Sequence, residues 1–136
     1  MKESKFNLLR QPLIRKMDFL SNSEFGTDKS NSNVNIKLDI DIKIETSTTQ
    51  NKAQVFLTLK LNTDKEIKEV PFILTSEIMG QFSWSDETEP VELTDFLNSV
   101  APSILLSYMR PIISNIITYS GLPPYIIPFL DLRVKE

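Results

Sequence analysis

A chain of 136 residues, 40% hydrophobic and 24% charged, is most simply one globular domain spanning residues 1–136, long enough to build a core without disulfide or metal staples. Its net charge of −3 leaves no basic excess to neutralise phosphates, which argues against a nucleic-acid partner. It has no histidine and no cysteine, and Gly26, Gly80 and Gly121 stand far apart; with no thiol or imidazole and no Gly-rich phosphate loop, no enzyme activity, cofactor or metal is expected.

The opening residues Met1-Lys2-Glu3-Ser4-Lys5 carry no apolar run of signal-peptide length, so a cytoplasmic location is the default expectation. Phe6 to Phe19 reads as a first strand, with a change of apolar parity near Leu8-Leu9 that predicts a bulge and with Pro12 tolerated at an edge. Ser21 to Asn33 is a polar loop.

Val34 to Thr46 gives the cleanest local signal: Val34, Ile36, Leu38, Ile40, Ile42 and Ile44 alternate with polar or charged residues. That period of two predicts a strand with one covered and one wet face, about 40 Å long at roughly 3.3 Å per residue. Ala53 to Leu61 repeats the pattern, with Phe56 on the opposite face. Val70 to Met79 is apolar on both parities; Gly80 permits a bend, after which Gln81 to Trp84 continue the sheet. The acidic stretch Asp86, Glu87, Glu89, Glu92 and Asp95 lacks the rhythm of a calcium loop and reads as a solvated lead-in to a helix.

Thr94 or Asp95 is placed to cap a short helical turn over Phe96, Leu97 and Val100, and Ser99 to cap a second helix opening at Pro102. From Ile104 to Tyr119 the helix has two apolar faces, one with Leu105, Tyr108, Ile112, Ile116 and Tyr119 and one with Leu106, Met109, Ile113 and Ile117. Pro111 predicts a kink, Gly121 a C-cap, and Pro123-Pro124 a stop. Arg110, Pro111 and the serines interrupt the run, so insertion into a membrane is not expected. The expected fold is α+β: a four-stranded antiparallel β-meander with a long kinked helix packed on one face.

A helix apolar on two sides needs two covers. The sheet supplies one, and a second subunit is the favoured source of the other, which predicts a homo-oligomer. Asp39, Asp41 and Glu45 share the polar face of their strand and form a possible acidic docking face. Phe56, Ile73, Met79, Phe82 and Trp84 exceed what one-faced strands require, and with Leu122, Tyr125 and Ile126 they can line an apolar groove or serve as core.

At these residues the chain resembles the SecB family of export chaperones. Asn35 to Asp41 looks like the family's alternating Leu-Asp strand, and Phe72 to Phe82 like its Phe strand with a Gly-containing turn. Ala101-Pro102-Ser103-Ile104-Leu105-Leu106-Ser107-Tyr108-Met109-Arg110 is similar to its helix opening, and Gly121-Leu122-Pro123-Pro124-Tyr125-Ile126-Ile127-Pro128 to its Gly-Phe-Pro-Pro segment. The resemblance implies an ATP-independent holdase for unfolded polypeptide clients in protein export, assembled as a dimer or tetramer and delivering to a SecA motor. By position it implies a client groove of Leu38, Ile40, Phe82, Trp84, Leu122, Tyr125 and Ile126, and a helix interface or core role for Tyr108, Ile112 and Ile116. Two features depart from the family: its second C-terminal helix and acidic tail have no counterpart before Glu136, and neutral Thr75 stands where an acid is expected. Two alternatives remain open: an adaptor or antitoxin chaperone with one dedicated client, and an oligomeric scaffold without holdase activity.

Overall fold

The computed structural model of the chain describes residues 5–25, 36–47, 49–122, 125 and 127. The two most regular alternating segments form a hairpin, β3 (Leu38–Ser47) and β4 (Lys52–Leu61), in register from Leu38↔Leu61 to Ser47↔Lys52. Asn51 closes its turn at φ 52°, a left-handed conformation that Asn tolerates better than most residues. Val34 and Asn35, expected at the head of this strand, lie outside the described residues.

The central strand is β5 (Phe72–Trp84), which runs unbroken through Gly80. The expected bend at Gly80 is absent, and the glycine has a different use. A Cβ there would stand 2.7 Å from Leu105 Cδ2 and 3.0 Å from the Phe82 ring, so its missing side chain lets the helix come close to the sheet.

The expected first strand is two strands laid end to end on the same edge of β5. β1 (Phe6–Leu8) pairs from Phe6↔Trp84 to Leu8↔Phe82, and β2 (Leu13–Ser21) from Leu13↔Met79 to Ser21↔Phe72. The chain leaves the ladder between Leu8 and Leu13, where the parity shift and Pro12 had pointed, and a second irregularity leaves Arg15 as an extra residue between Ile14 and Lys16. The order across the sheet is therefore β1/β2, β5, β4, β3, all antiparallel. Only β3, β4 and β5 form the expected meander; the N-terminal strand joins the far side of β5 rather than its neighbour in sequence.

The helix begins earlier than its caps suggested. A 30-residue helical run from Pro90 to Tyr119 comprises α1 (Pro90–Asp95), a π-helical segment (Phe96–Val100) and α2 (Ala101–Tyr119). Ser99 is not an N-cap: its hydroxyl donates to the Asp95 carbonyl one turn back, and Ser103 does the same to Ser99. In the π segment Ala101 N–H reaches back five residues to the Phe96 carbonyl. α2 continues through Pro111 to Tyr119, and Gly121 then adopts φ 85° as expected of a C-cap. By length and composition alone this run could cross a membrane; here one face of it packs on the sheet.

That face is Leu105, Leu106, Met109, Ile113 and Ile117, all buried against Val55, Leu57, Leu59, Leu61, Phe72, Leu74, Ile78 and Phe82 of β4 and β5. Both partners are period-matched: every second residue of the strands meets every third or fourth residue of the helix.

One buried polar residue fastens the end of this layer. Asn62, at φ 60° and 1% exposed, donates from Nδ2 to the Phe72 carbonyl at 3.0 Å and accepts the Lys37 amide at 3.0 Å through Oδ1. It thereby ties the end of β4 to the starts of β3 and β5. Asn62→Ala is expected to destabilise the fold by about 2–3 kcal/mol, because the buried Phe72 carbonyl and the part-buried Lys37 amide lose their partners and alanine resists a positive φ. Denaturant unfolding reads this directly, and an unchanged midpoint would refute it.

Candidate functional site

The helix covers β4 and β5 and leaves the edge strand β3 less covered. Leu38 and Ile40 point to the helix side, opposite Leu61 and Leu59, yet remain half-buried while their partners are fully buried. After α2 the chain returns over the same end of the sheet. The Tyr125 ring lies 6.4 Å from that of Phe72, and Leu122 and Tyr125 pack half-buried against the core. Burial holds the Tyr125 phenol above its ordinary pKa, so it stays neutral through the physiological range. Ile127, unremarked in the sequence beyond its place in the proline-rich motif, is fully buried, and its carbonyl accepts a 3.0 Å hydrogen bond from Arg110 Nε.

The groove set expected from the resemblance therefore falls into two groups. Leu38 and Ile40 stand on β3, across β4 from Leu74 and Ser76 of β5, Tyr125 lies beside Phe72, and these three, like Leu122, pack partly buried against the core. Phe82 and Trp84 sit at the other end, eight and ten residues beyond Leu74, or roughly 25–35 Å away. Both are core side chains: Phe82 is fully buried, edge-on to Phe96 at 5.5 Å, and Trp84 is 8% exposed. Neither offers surface in this conformation. Ile126 lies outside the described residues.

The second apolar stripe of α2 is open. Tyr108 is 41% and Tyr119 84% exposed, with Ile112 and Ile116 half-buried beside them. At roughly 100° per residue, Tyr108, Ile112 and Tyr119 share a flank next to the sheet-packing face, with Ile116 on the boundary.

The opposite face of the sheet is polar, and its charges are mixed. Asp39, Asp41 and Glu45 lie on it, but Lys60 stands 3.5 Å from Asp41 and Lys43 3.2 Å from Glu45. Phe56 points to this face and is nevertheless buried, because Arg15 and Lys43 lie over its ring at 5.5 and 5.8 Å. The bulge in β2 places Arg15 there, where it also approaches Glu77 at 3.9 Å. These groups, with Asp41 and Thr58, line a hollow of about 300 Å³. The acids expected to form a docking face are thus interleaved with lysines and an arginine.

A family model described as "Preprotein translocase subunit SecB" matches residues 3–133. The chain belongs to the SecB family. The protein-export protein SecB of Ehrlichia ruminantium (strain Gardel) is 32% identical over 94 residues, covering 62% of this chain and 54% of that protein. SecB of Anaplasma marginale (strain Florida) is 26% identical over 78 residues, 57% of this chain and 45% of the relative. The chain thus spans about half the length of the curated relatives it matches. Among solved structures, a SecB-like chaperone of Mycobacterium tuberculosis in complex with a peptide from the HigA1 antitoxin superposes with a TM-score of 0.72 at 14% identity, covering 93% of this chain and 91% of that one. A Streptococcus agalactiae protein of unknown function gives a TM-score of 0.53 at 11% identity, covering 93% and 100%. At these identities the structural likeness is one of fold, and the fold is the SecB-like α+β arrangement of an antiparallel sheet with one long helix upon it.

Proposed function

We propose that this SecB-family chain is an ATP-independent holdase that binds non-native polypeptides in the service of protein export. What carries the reading is the strip of part-exposed apolar side chains, Leu38, Ile40, Leu122 and Tyr125, on a fold whose family is a translocase subunit. A holdase needs sequence-tolerant apolar contact rather than precisely placed polar groups, and such a strip supplies it at about 25 cal/mol per Å² before ordering costs. The open flank of α2 supports a homo-oligomer, dimer or tetramer, in which strips from several copies lie within reach of one client. Delivery to a SecA motor would need an acidic docking surface, and here Lys60 and Lys43 stand 3.5 and 3.2 Å from Asp41 and Glu45.

The expected result is that the protein suppresses aggregation of an unrelated chemically unfolded protein. Leu38→Ser with Ile40→Ser should weaken client binding roughly tenfold, the loss of one to two kcal/mol of apolar contact, with a smaller fall in folding midpoint than truncation of a fully buried side chain causes. If the unaltered protein protects no client at all, the holdase reading is wrong. One alternative has its own support: the M. tuberculosis neighbour is described with a peptide from an antitoxin. Protection of a single client and no other would favour a dedicated adaptor on this fold.

A further inference from the structure

We infer that β1 is a built-in occupant of a second polypeptide-binding site: the edge of β5 at Phe82–Trp84 takes an extended segment carrying an aromatic and an apolar residue two positions apart, and Phe6–Leu8 fills that place in the free protein. This rests on the holdase reading and assigns it a further client site.

The strand is only three residues long, and it is separated from β2 by the break at Leu9–Pro12. Phe6 and Leu8 lie opposite Trp84 and Phe82 and turn toward the helix, while Asn7, opposite Ser83, is exposed. Phe6 is the outermost ring of a column: it stacks on Phe96 at 3.9 Å and 3°, and Phe96 meets Phe82 at 5.5 Å and 75°. Phe6 is only half-buried, whereas Phe96 and Phe82 beneath it are 8% and 0% exposed. Lifting β1 away would uncover an aromatic floor and a free strand edge together, the two elements that extended peptides use in strand addition.

The ties at the ends of β1 are modest. Leu9 N–H donates to the Gln81 carbonyl at 2.9 Å and Ser85 N–H to the Lys5 carbonyl at 3.2 Å, bonds that any peptide backbone in that register would reproduce. Lys5 and Glu92 form a 3.3 Å ion pair in which both side chains are 45% exposed, an interaction of little weight in water. α1 above it buries none of its residues. A three-residue strand whose apolar side chains are only partly buried, cut off from β2 by a break in the ladder, fits the class of segments that open locally without global unfolding. A client then competes against a tethered segment, and its apparent affinity is reduced by the fraction of molecules in which β1 is out.

Trp84 is the sole tryptophan and the cross-strand partner of Phe6, so its fluorescence reads the site directly. The probe is a synthetic peptide, Lys-Phe-Asn-Leu-Leu, matching residues 5–9, with a control in which Phe is replaced by Ser. Two full-length variants open the site by different routes: Phe6→Ser removes the ring, and Asn7→Pro removes a strand donor while keeping both apolar side chains. Each variant should bind the peptide about tenfold or more tightly than the unaltered protein, with a shift in Trp84 emission, and should ignore the control peptide. Should Phe6→Ser fail to fold, Asn7→Pro decides alone, since its side chain lies outside the core. A folded Asn7→Pro variant that binds the peptide no better than the unaltered protein overturns the inference. Aggregation protection by the unaltered protein is a separate readout, so the holdase reading and this site can fail independently.

Discussion

Phe82→Ala is expected to destabilise the fold by about 3–5 kcal/mol, a large part of the roughly 5–15 kcal/mol that holds a domain of this size together. The ring is fully buried, stands edge-on to Phe96, and lies within 3.3 Å of the space above Gly80 where the helix meets the sheet. Removing it leaves a cavity that neither the close-set helix nor the paired strands on each side can readily fill. Thermal unfolding should shift downward by roughly 10 °C or more, and any loss of client holding should follow the loss of fold. The contrast with Leu38→Ser and Ile40→Ser is the test: those changes should lower client binding out of proportion to their smaller effect on the unfolding midpoint. If Phe82→Ala instead leaves the midpoint unchanged and abolishes holding, Phe82 is a binding residue after all and its burial in the free chain is transient.

The same residue shows what periodicity can and cannot reveal. Alternation fixes which face of a strand a side chain takes, and it does so well here: Leu38, Ile40, Phe72, Leu74, Phe82 and Trp84 all turn to the helix side. Depth on that face depends on where the helix crosses, and that is a non-local outcome. Leu38 and Ile40 stay half-open on the edge strand, whereas Phe82 and Trp84 are closed over by Phe96 and Phe6. Strand neighbours are equally non-local. The pattern in Phe6–Phe19 announced a strand and its interruption but held nothing to say that it would pair with β5 rather than with β3. The helix start was misplaced for a local reason. Pro102 and Ser99 form a plausible N-terminus, yet proline also fits just after a π segment, where the hydrogen-bond pattern is already shifted and a missing donor is tolerated. Gly80 was legible as special but not as to its use, because an approach of 2.7 Å to Leu105 exists only once helix and sheet have met. Phe56 counted as an excess apolar residue on the wet face; its cover of Arg15 and Lys43 comes from two different strands, one of them bulged.

Ile112→Asp together with Tyr108→Ser is expected to break the proposed homo-oligomer into smaller species at micromolar concentration while leaving the subunit folded. The two side chains share the flank of α2 that the sheet does not cover, with Tyr119 at its end exposed to 84%. An apolar stripe of this kind beside a fully packed face is costly to leave in water, and a copy of the same helix is its most economical cover, since one sequence then supplies both halves of a symmetric contact. Ser107 and Ser114, on the neighbouring polar stripe, are small enough to permit close approach of two such helices. An aspartate set into that contact would be a desolvated, unpaired charge, and because it occurs once in every copy the penalty is repeated across the interface. Light scattering during size-exclusion chromatography gives the mass, and circular dichroism the fold. Met109→Ala, on the buried face of the same helix, is the matched control: it should lower the unfolding midpoint without singling out assembly. An unaltered mass for the double variant would place the subunit contact elsewhere, and the sheet edges would then be the surfaces to probe. A monomeric mass for the unaltered protein would go further, since Tyr108, Ile112 and Tyr119 would then be free to meet the client itself and the strip at Leu38 and Tyr125 would be only one part of a larger binding surface.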